Sequence, residues 1–204
     1  MTPSKEILKH LSQDPIIEML IKKCTLRDRS VQPSVYEALL RSISFQQLSG
    51  ASATAIHNRF LDLFPNQYPE PSKLSTLPLE TLREVGLSRQ KAAYLQNTAN
   101  FFLENGLLDT SWEGRSDESV IEQLTQIKGV GRWTVEMILM FTLQRPDVLP
   151  LDDLVVKASM IELYHLEDWK GKALRQKLLD VAEPWRPYRT TASLYMWQWK
   201  GTKI

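Results

Sequence analysis

Two adjacent aspartates, Asp152 and Asp153, lie in the segment Val148-Leu-Pro-Leu-Asp-Asp-Leu-Val-Val-Lys157, where Pro150 sets a loop and an apolar helix follows. An aspartate in this place has an ordinary use as the cap of its own helix, its side chain accepting the first free backbone N–H groups. Two aspartates exceed what one cap needs, and the apolar residues of the loop can keep one carboxylate partly dry. Upstream, Leu124-Thr-Gln-Ile-Lys-Gly-Val-Gly-Arg-Trp-Thr134 ends one helix at Ile127 and begins another at once, with Gly129 and Gly131 bracketing Val130. Glycine tolerates backbone angles that other residues resist and lets another backbone come close. The free N–H groups and the dipole of the second helix together form an anion site, for which a DNA phosphate is a suitable occupant. The competing reading is a helix–turn–helix core element whose glycines serve packing alone.

The elements that must position these groups are helical. The sequence predicts helices from Pro33-Ser34-Val35 through about Gln46, over Ala51 to Phe60, Leu79 to Val85, Lys91 to Glu104, and Ser116 to Leu124 with Ser116 as cap. Further helices are expected from Gly131 or Arg132 to Leu143, Asp153 to Leu166, Lys170 to Asp180 and Pro187 to Trp199. β-Branched alternation flanked by turn residues is almost absent, so the fold class is all-α. The 204 residues suffice for one domain, 1–204, of two helical lobes around a cleft. Lobe A is expected over about 35–115 and lobe B over 1–34 plus 116–204.

Composition excludes several classes. Cys24 is the only cysteine, which rules out an intrachain disulfide, a cysteine-based zinc site and an iron–sulfur cluster on four cysteines. His10, His57 and His165 are scattered, away from metal-ligand spacing. Apolar runs stop well short of the ~18 residues that span a bilayer, and the N-terminus has no signal-peptide core. A cytoplasmic protein, or a nuclear one in a eukaryote, is expected, with no membrane partner. Net charge is only +1, yet Trp185 to Ile204 carries Arg186, Arg189, Lys200 and Lys203 and no acidic side chain, so a local basic face is expected.

The stretch L-x-x-I-K-G-V-G-R-W-T followed by Leu149-Pro-Leu-Asp-Asp153 resembles the helix–hairpin–helix DNA glycosylase superfamily, in the branch of DNA-3-methyladenine glycosylase II. Glu37-Ala-Leu-Leu-Arg-Ser-Ile-Ser-Phe-Gln-Gln-Leu-Ser49, Gly86-Leu-Ser-Arg-Gln-Lys-Ala92 and Trp185-Arg-Pro-Tyr-Arg-Thr-Thr-Ala-Ser-Leu-Tyr-Met-Trp197 resemble further family segments in the same order. Larger family members carry an extra N-terminal domain, and this chain resembles the compact form.

The resemblance implies a monofunctional glycosylase that flips alkylated purines out of double-stranded DNA and hydrolyses their glycosidic bond, 3-methyladenine first and 7-methylguanine next. Asp153 matches the catalytic carboxylate, and Asp152 is its supporting neighbour. Gln47 matches the wedge that fills the gap left by the flipped base, with Gln46 and Leu48 beside it; the competing reading has the glutamines bonding nearby backbone. Lys128, Gly129, Val130, Gly131 and Thr134 match the phosphate-binding hairpin. Trp133 and Trp197 match pocket tryptophans, with the ordinary core tryptophan as the alternative for each. Met137 and Leu154 stand where larger members have tyrosines, which makes the pocket less aromatic. Arg189 matches a C-terminal arginine, which is expected to organise the site or to support the Asp153 loop by ion pairing, with a surface ion pair as the alternative. Bifunctional relatives have a lysine where this chain has Trp133, so no lyase activity is expected. No cofactor is required, although the family often holds a monovalent cation, Na⁺ or K⁺, on hairpin carbonyls that here include Ile127 and Val130. The protein is expected to act as a monomer. A noncatalytic module that binds distorted or damaged DNA is the alternative function.

Overall fold

The structure, a computed structural model, describes residues 2–26, 34–48 and 50–201. Pro33, Ser49 and Lys203, which enter the sequence reading as a helix start, part of a turn motif and a tail cation, lie outside these residues. Among the described residues there are twelve α-helices, two short 3-10 turns and no strand. The all-α class is therefore observed. The helices are α1 (Lys5–Leu11), α2 (Pro15–Lys23), α3 (Val35–Phe45), α4 (Gly50–Leu61), α5 (Pro71–Thr76), α6 (Leu79–Glu84), α7 (Arg89–Glu104), α8 (Asp117–Leu124), α9 (Arg132–Phe141), α10 (Leu154–Leu163), α11 (Gly171–Ala182) and α12 (Arg189–Trp199).

Local chemistry explains half of the starts. Ser4, Asp14, Ser34, Ser88, Ser116 and Asp153 each cap a helix through a side-chain oxygen that accepts backbone N–H groups, an interaction typically worth about 1 kcal/mol. Helices α1, α2 and α5 are additional to the sequence reading. Two expected helices stop early. The α9 helix ends at Phe141 because the Arg145 N–H turns back to the Leu139 carbonyl at 2.8 Å, with Gln144 at φ +53°. The α10 helix ends at Leu163 because the Leu166 N–H closes on the Ile161 carbonyl at 2.9 Å around His165 at φ +54°, a left-handed stop.

The chain divides into two compact units, Met1–Val31 with Leu139–Ile204, and Gln32–Ile138. The expected boundary near 115 thus differs from the observed one, and residues 116–138 group with the middle of the chain. Contacts inside that unit account for the difference: the Gln46 amide bonds the Gly129 carbonyl, and the Tyr94 ring lies against Gly129.

In the middle unit, α7 packs against α3, α5 and α6. Its core includes Leu39, Leu40, Ile43, Phe60, Leu74, Leu95 and Phe102, and buried Tyr36 satisfies its hydroxyl on the Pro69 carbonyl at 2.8 Å. In the other unit, α12 packs on α2 and α10 around Ile17, Leu20, Met160, Trp185 and Met196. Asp14 joins its ends: Oδ1 caps α2, while Oδ2 accepts from the Tyr164 hydroxyl at 2.7 Å and from Trp185 Nε1 at 2.9 Å. Burial and this carboxylate push the Tyr164 hydroxyl well above the usual tyrosine range.

Candidate active site

Asp153 is built by the loop between α9 and α10. The chain leaves Pro150, turns through an Asp153 N–H bond to the Pro150 carbonyl at 3.0 Å, and enters α10 with Asp153 as its cap. Oδ1 accepts the N–H groups of Val155 and Val156, each at 2.9 Å, and the indole N–H of Trp197 at 2.8 Å. An ionised carboxylate is acceptor-only, and three converging N–H donors fix its orientation. Asp153 is only 8% exposed. Capping and a role in chemistry are therefore not exclusive: the cap supplies two of the bonds that hold the group, and Trp197 supplies a third that a cap does not need. Asp152 is different. Its side chain is 57% exposed and faces Arg175 at 3.6 Å, a surface pair of small energetic weight.

The loop leading to Asp153 is clamped by the start of α12. Arg189 donates from Nε to Asp147 Oδ1 at 2.7 Å and from Nη2 to Asp147 Oδ2 at 2.9 Å and to its carbonyl at 2.8 Å. The Thr190 hydroxyl donates to the Arg145 carbonyl at 2.7 Å and accepts the Val148 N–H at 3.0 Å. Arg186 adds a second cation on Asp147. The Arg189 and Asp147 side chains are 13% and 22% exposed, so solvent screens this pair less than a surface one. Arg189→Ala is expected to lower stability by about 2 kcal/mol, with Arg189→Lys recovering only part because an ammonium lacks the planar fork. An unchanged denaturation midpoint in Arg189→Ala contradicts the clamp.

Trp197 is 3% exposed, its ring 5.9 Å from that of Phe141. It stands as a buried partner of the carboxylate rather than as an open ring face. Leu154, the first residue of α10, is 82% exposed beside Asp153.

The middle unit carries the hairpin. Gly129 has φ +103°, and a Cβ there would lie 2.3 Å from the Tyr94 ring. This glycine is required on both counts. The Val130 N–H bonds the Ile127 carbonyl at 3.0 Å to close the turn, and both side chains are buried. Gly131 is exposed, with open space where a Cβ would go. Lys128 is exposed and lines a cavity of about 400 Å³ with Arg89, Gln90, Ala93, Tyr94 and Asn97. Thr134 is buried in the first turn of α9. Trp133 is 43% exposed, and Met137, one turn further on, is half-buried. Arg132 joins α8 to α9 through two bonds of 2.9 Å to the Glu118 carboxylate and one of 3.1 Å to Glu136. The Arg132 hydrogen bonds hold the Glu118 carboxyl below its ordinary range.

The glutamine turn separates into two roles. The Gln46 side chain donates to the Gly129 carbonyl at 3.2 Å, the backbone-bonding reading. Gln47 has φ +56°, and its side chain is exposed, as is that of Leu48. The Asp147 anchor of Arg189, the Arg132–Glu118 pair and a bond from Lys91 to Ser44 described below carried no signal of spacing in the sequence. Among the described residues, no group of three or more His, Cys, Asp or Glu side chains gathers to hold a metal.

The family model for the HhH-GPD superfamily of base excision DNA repair proteins matches residues 40–184. The chain is 40% identical over 166 residues to DNA-3-methyladenine glycosylase 1 of Schizosaccharomyces pombe, a match covering 80% of this chain and 71% of that protein. Among solved structures it is similar to the S. pombe 3-methyladenine DNA glycosylase in complex with abasic DNA, at a TM-score of 0.77 and 37% identity over 95% of each chain. It is also similar to DNA-3-methyladenine glycosidase from Bacillus halodurans, at a TM-score of 0.83 and 34% identity over 99% of this chain and 92% of that one.

Proposed function

The chain belongs to the HhH-GPD superfamily of base excision DNA repair proteins, and from that premise we propose that it is a monofunctional glycosylase excising alkylated purines from duplex DNA, 3-methyladenine first. The observation that carries this reading is the Asp153 carboxylate, nearly buried and held at Oδ1 by three N–H donors. Alkylation at N3 or N7 makes the base cationic, so breaking the C1′–N bond releases a neutral base. The bonding pair leaves with the base, and positive charge builds on the sugar. A fixed carboxylate stabilises that charge, a contribution of several kcal/mol in a preorganised site. Water then attacks C1′, and the same carboxylate orients it or takes its proton. The leaving group is already activated, so no separate general acid is required.

The remaining residues serve delivery of the base. The Gly129 to Gly131 hairpin, Lys128 and Thr134 dock backbone phosphate. Gln47, with Leu48 beside it, enters the duplex as the base turns outward. The Trp133 ring offers an electron-rich face to the cationic base, an attraction of about 0.5–2 kcal/mol, with Met137 one turn further along the same helix as an apolar contact. A lesion range that includes 7-methylguanine follows from the same charge argument. A Na⁺ or K⁺ ion on the Ile127 and Val130 carbonyls would suit their hard oxygen donors and add positive charge near the docked phosphate. No helix among the described residues is long and apolar enough to cross a membrane; a monomer working in the cytoplasm, or in the nucleus of a eukaryote, completes the proposal.

The amine that would attack the sugar in a lyase is absent at position 133, where Trp133 stands. Incubation with methylated duplex DNA should release free base, leave the strand intact until alkali is added, and give no covalent adduct on borohydride reduction. A trapped protein–DNA adduct, or nicking without alkali, contradicts the monofunctional assignment.

A further inference from the structure

The segment Gly86-Leu-Ser-Arg-Gln-Lys-Ala92 has no place in the chemistry above, yet its side chains reach both DNA-docking features of the middle unit. Lys91 Nζ donates to the Ser44 carbonyl at 2.9 Å. Ser44 lies in the last turn of α3, where carbonyls lack an intrahelical partner and the helix dipole favours a cation. One residue beyond the helix the chain turns through Gln46 into Gln47, whose φ of +56° is strained for a residue with a Cβ. On the other side, Gln90 Nε2 donates to the Tyr94 hydroxyl at 2.7 Å, and the Tyr94 ring occupies the space that a Cβ on Gly129 would need. The Gln46 amide closes the circuit on the Gly129 carbonyl at 3.2 Å.

We infer that Lys91 is a positioning residue: from α7 it fixes the exit of α3, and with Gln46 it holds the Gln47 wedge in register with the phosphate-docking hairpin. A single rigid helix carries both connections. Docking of phosphate on the hairpin therefore aims the wedge at one step of the duplex. Without the Lys91 bond the Ser44 carbonyl loses its cation and the strained turn can relax, so the hairpin still docks but the wedge enters poorly. The inference rests on the proposed function for the role of Gln47, and a readout without turnover keeps the two apart.

That readout is the fluorescence of 2-aminopurine placed beside a stable abasic analogue in duplex DNA, which rises when an inserted side chain unstacks it. At saturating wild-type protein a full rise is expected. Lys91→Met should give a third of that amplitude or less with Kd within about threefold, because phosphate contacts set most of the affinity. Lys91→Arg should restore at least half, since it returns a cationic donor. Gln46→Leu, which cuts the other connection from a half-buried surface position, should also lower the amplitude, and thermal melting confirms that each variant is folded. Full amplitude in Lys91→Met, or amplitude and affinity falling together in a folded Lys91→Met and Gln46→Leu, overturns the inference. Base release from methylated DNA, measured on the same samples, reports separately on the proposed activity.

Discussion

Gly129→Ala should cost the protein about 2 kcal/mol or more and weaken its hold on DNA, whereas Gly131→Ala should leave stability nearly unchanged. Gly129 has φ +103°, a conformation that adds roughly 1–3 kcal/mol of strain to a residue with a Cβ. The new methyl would also sit 2.3 Å from the Tyr94 ring, in the side of a helix that cannot yield by rotating a flexible chain end; overpacking of this kind costs roughly 1–3 kcal/mol. Gly131 has neither constraint. Thermal or denaturant unfolding of the two variants, beside a salt titration of duplex binding, reads both consequences. Adding Tyr94→Ala to Gly129→Ala should recover the steric part and leave the backbone part. Equal stability of the two glycine variants contradicts the packing described.

The larger effect on activity is expected at Asp153. Asparagine caps a helix about as well as aspartate and has nearly the same shape, so Asp153→Asn keeps the Val155 and Val156 N–H groups satisfied. Stability should stay within about 1 kcal/mol of the wild type. The charge that opposes the sugar's positive charge is lost, and base release should fall at least ~100-fold with DNA binding retained. Asp153→Ala removes charge and cap together and should also destabilise the protein. Asp152→Asn, at an exposed position 3.6 Å from Arg175, should behave like wild type. Wild-type turnover by a folded Asp153→Asn would reduce Asp153 to a cap and make Asp152 the next candidate.

A Gly-x-Gly between two helices and a pair of aspartates after Pro150 each have ordinary structural uses; they were legible because several segments of the chain resemble one family in the same order. The buried tryptophan did not resolve in the same way. A tryptophan in Met196-Trp197 reads equally as pocket wall or core, and only the 2.8 Å bond across 44 residues to Asp153 shows which atom matters. Arg189 was legible as a supporting cation, but Asp147, its partner 42 residues earlier, was not; such pairings are set by helix packing and leave no spacing in the chain. Gln46 and Gln47 are identical side chains in sequence, and it is the backbone that parts them, one bonded to the hairpin and the other at positive φ. The N-terminal helices carry ordinary start signals in Ser4 and Asp14-Pro15.

The most direct test of the central claim is chromatographic detection of free base after single-turnover incubation of the wild-type protein with methylated duplex DNA. Release of 3-methyladenine is expected, with the strand left intact until alkali cleaves it at the new abasic site. Tight binding of the same DNA with no base released would contradict it and leave a protein that recognises damaged duplex without repairing it.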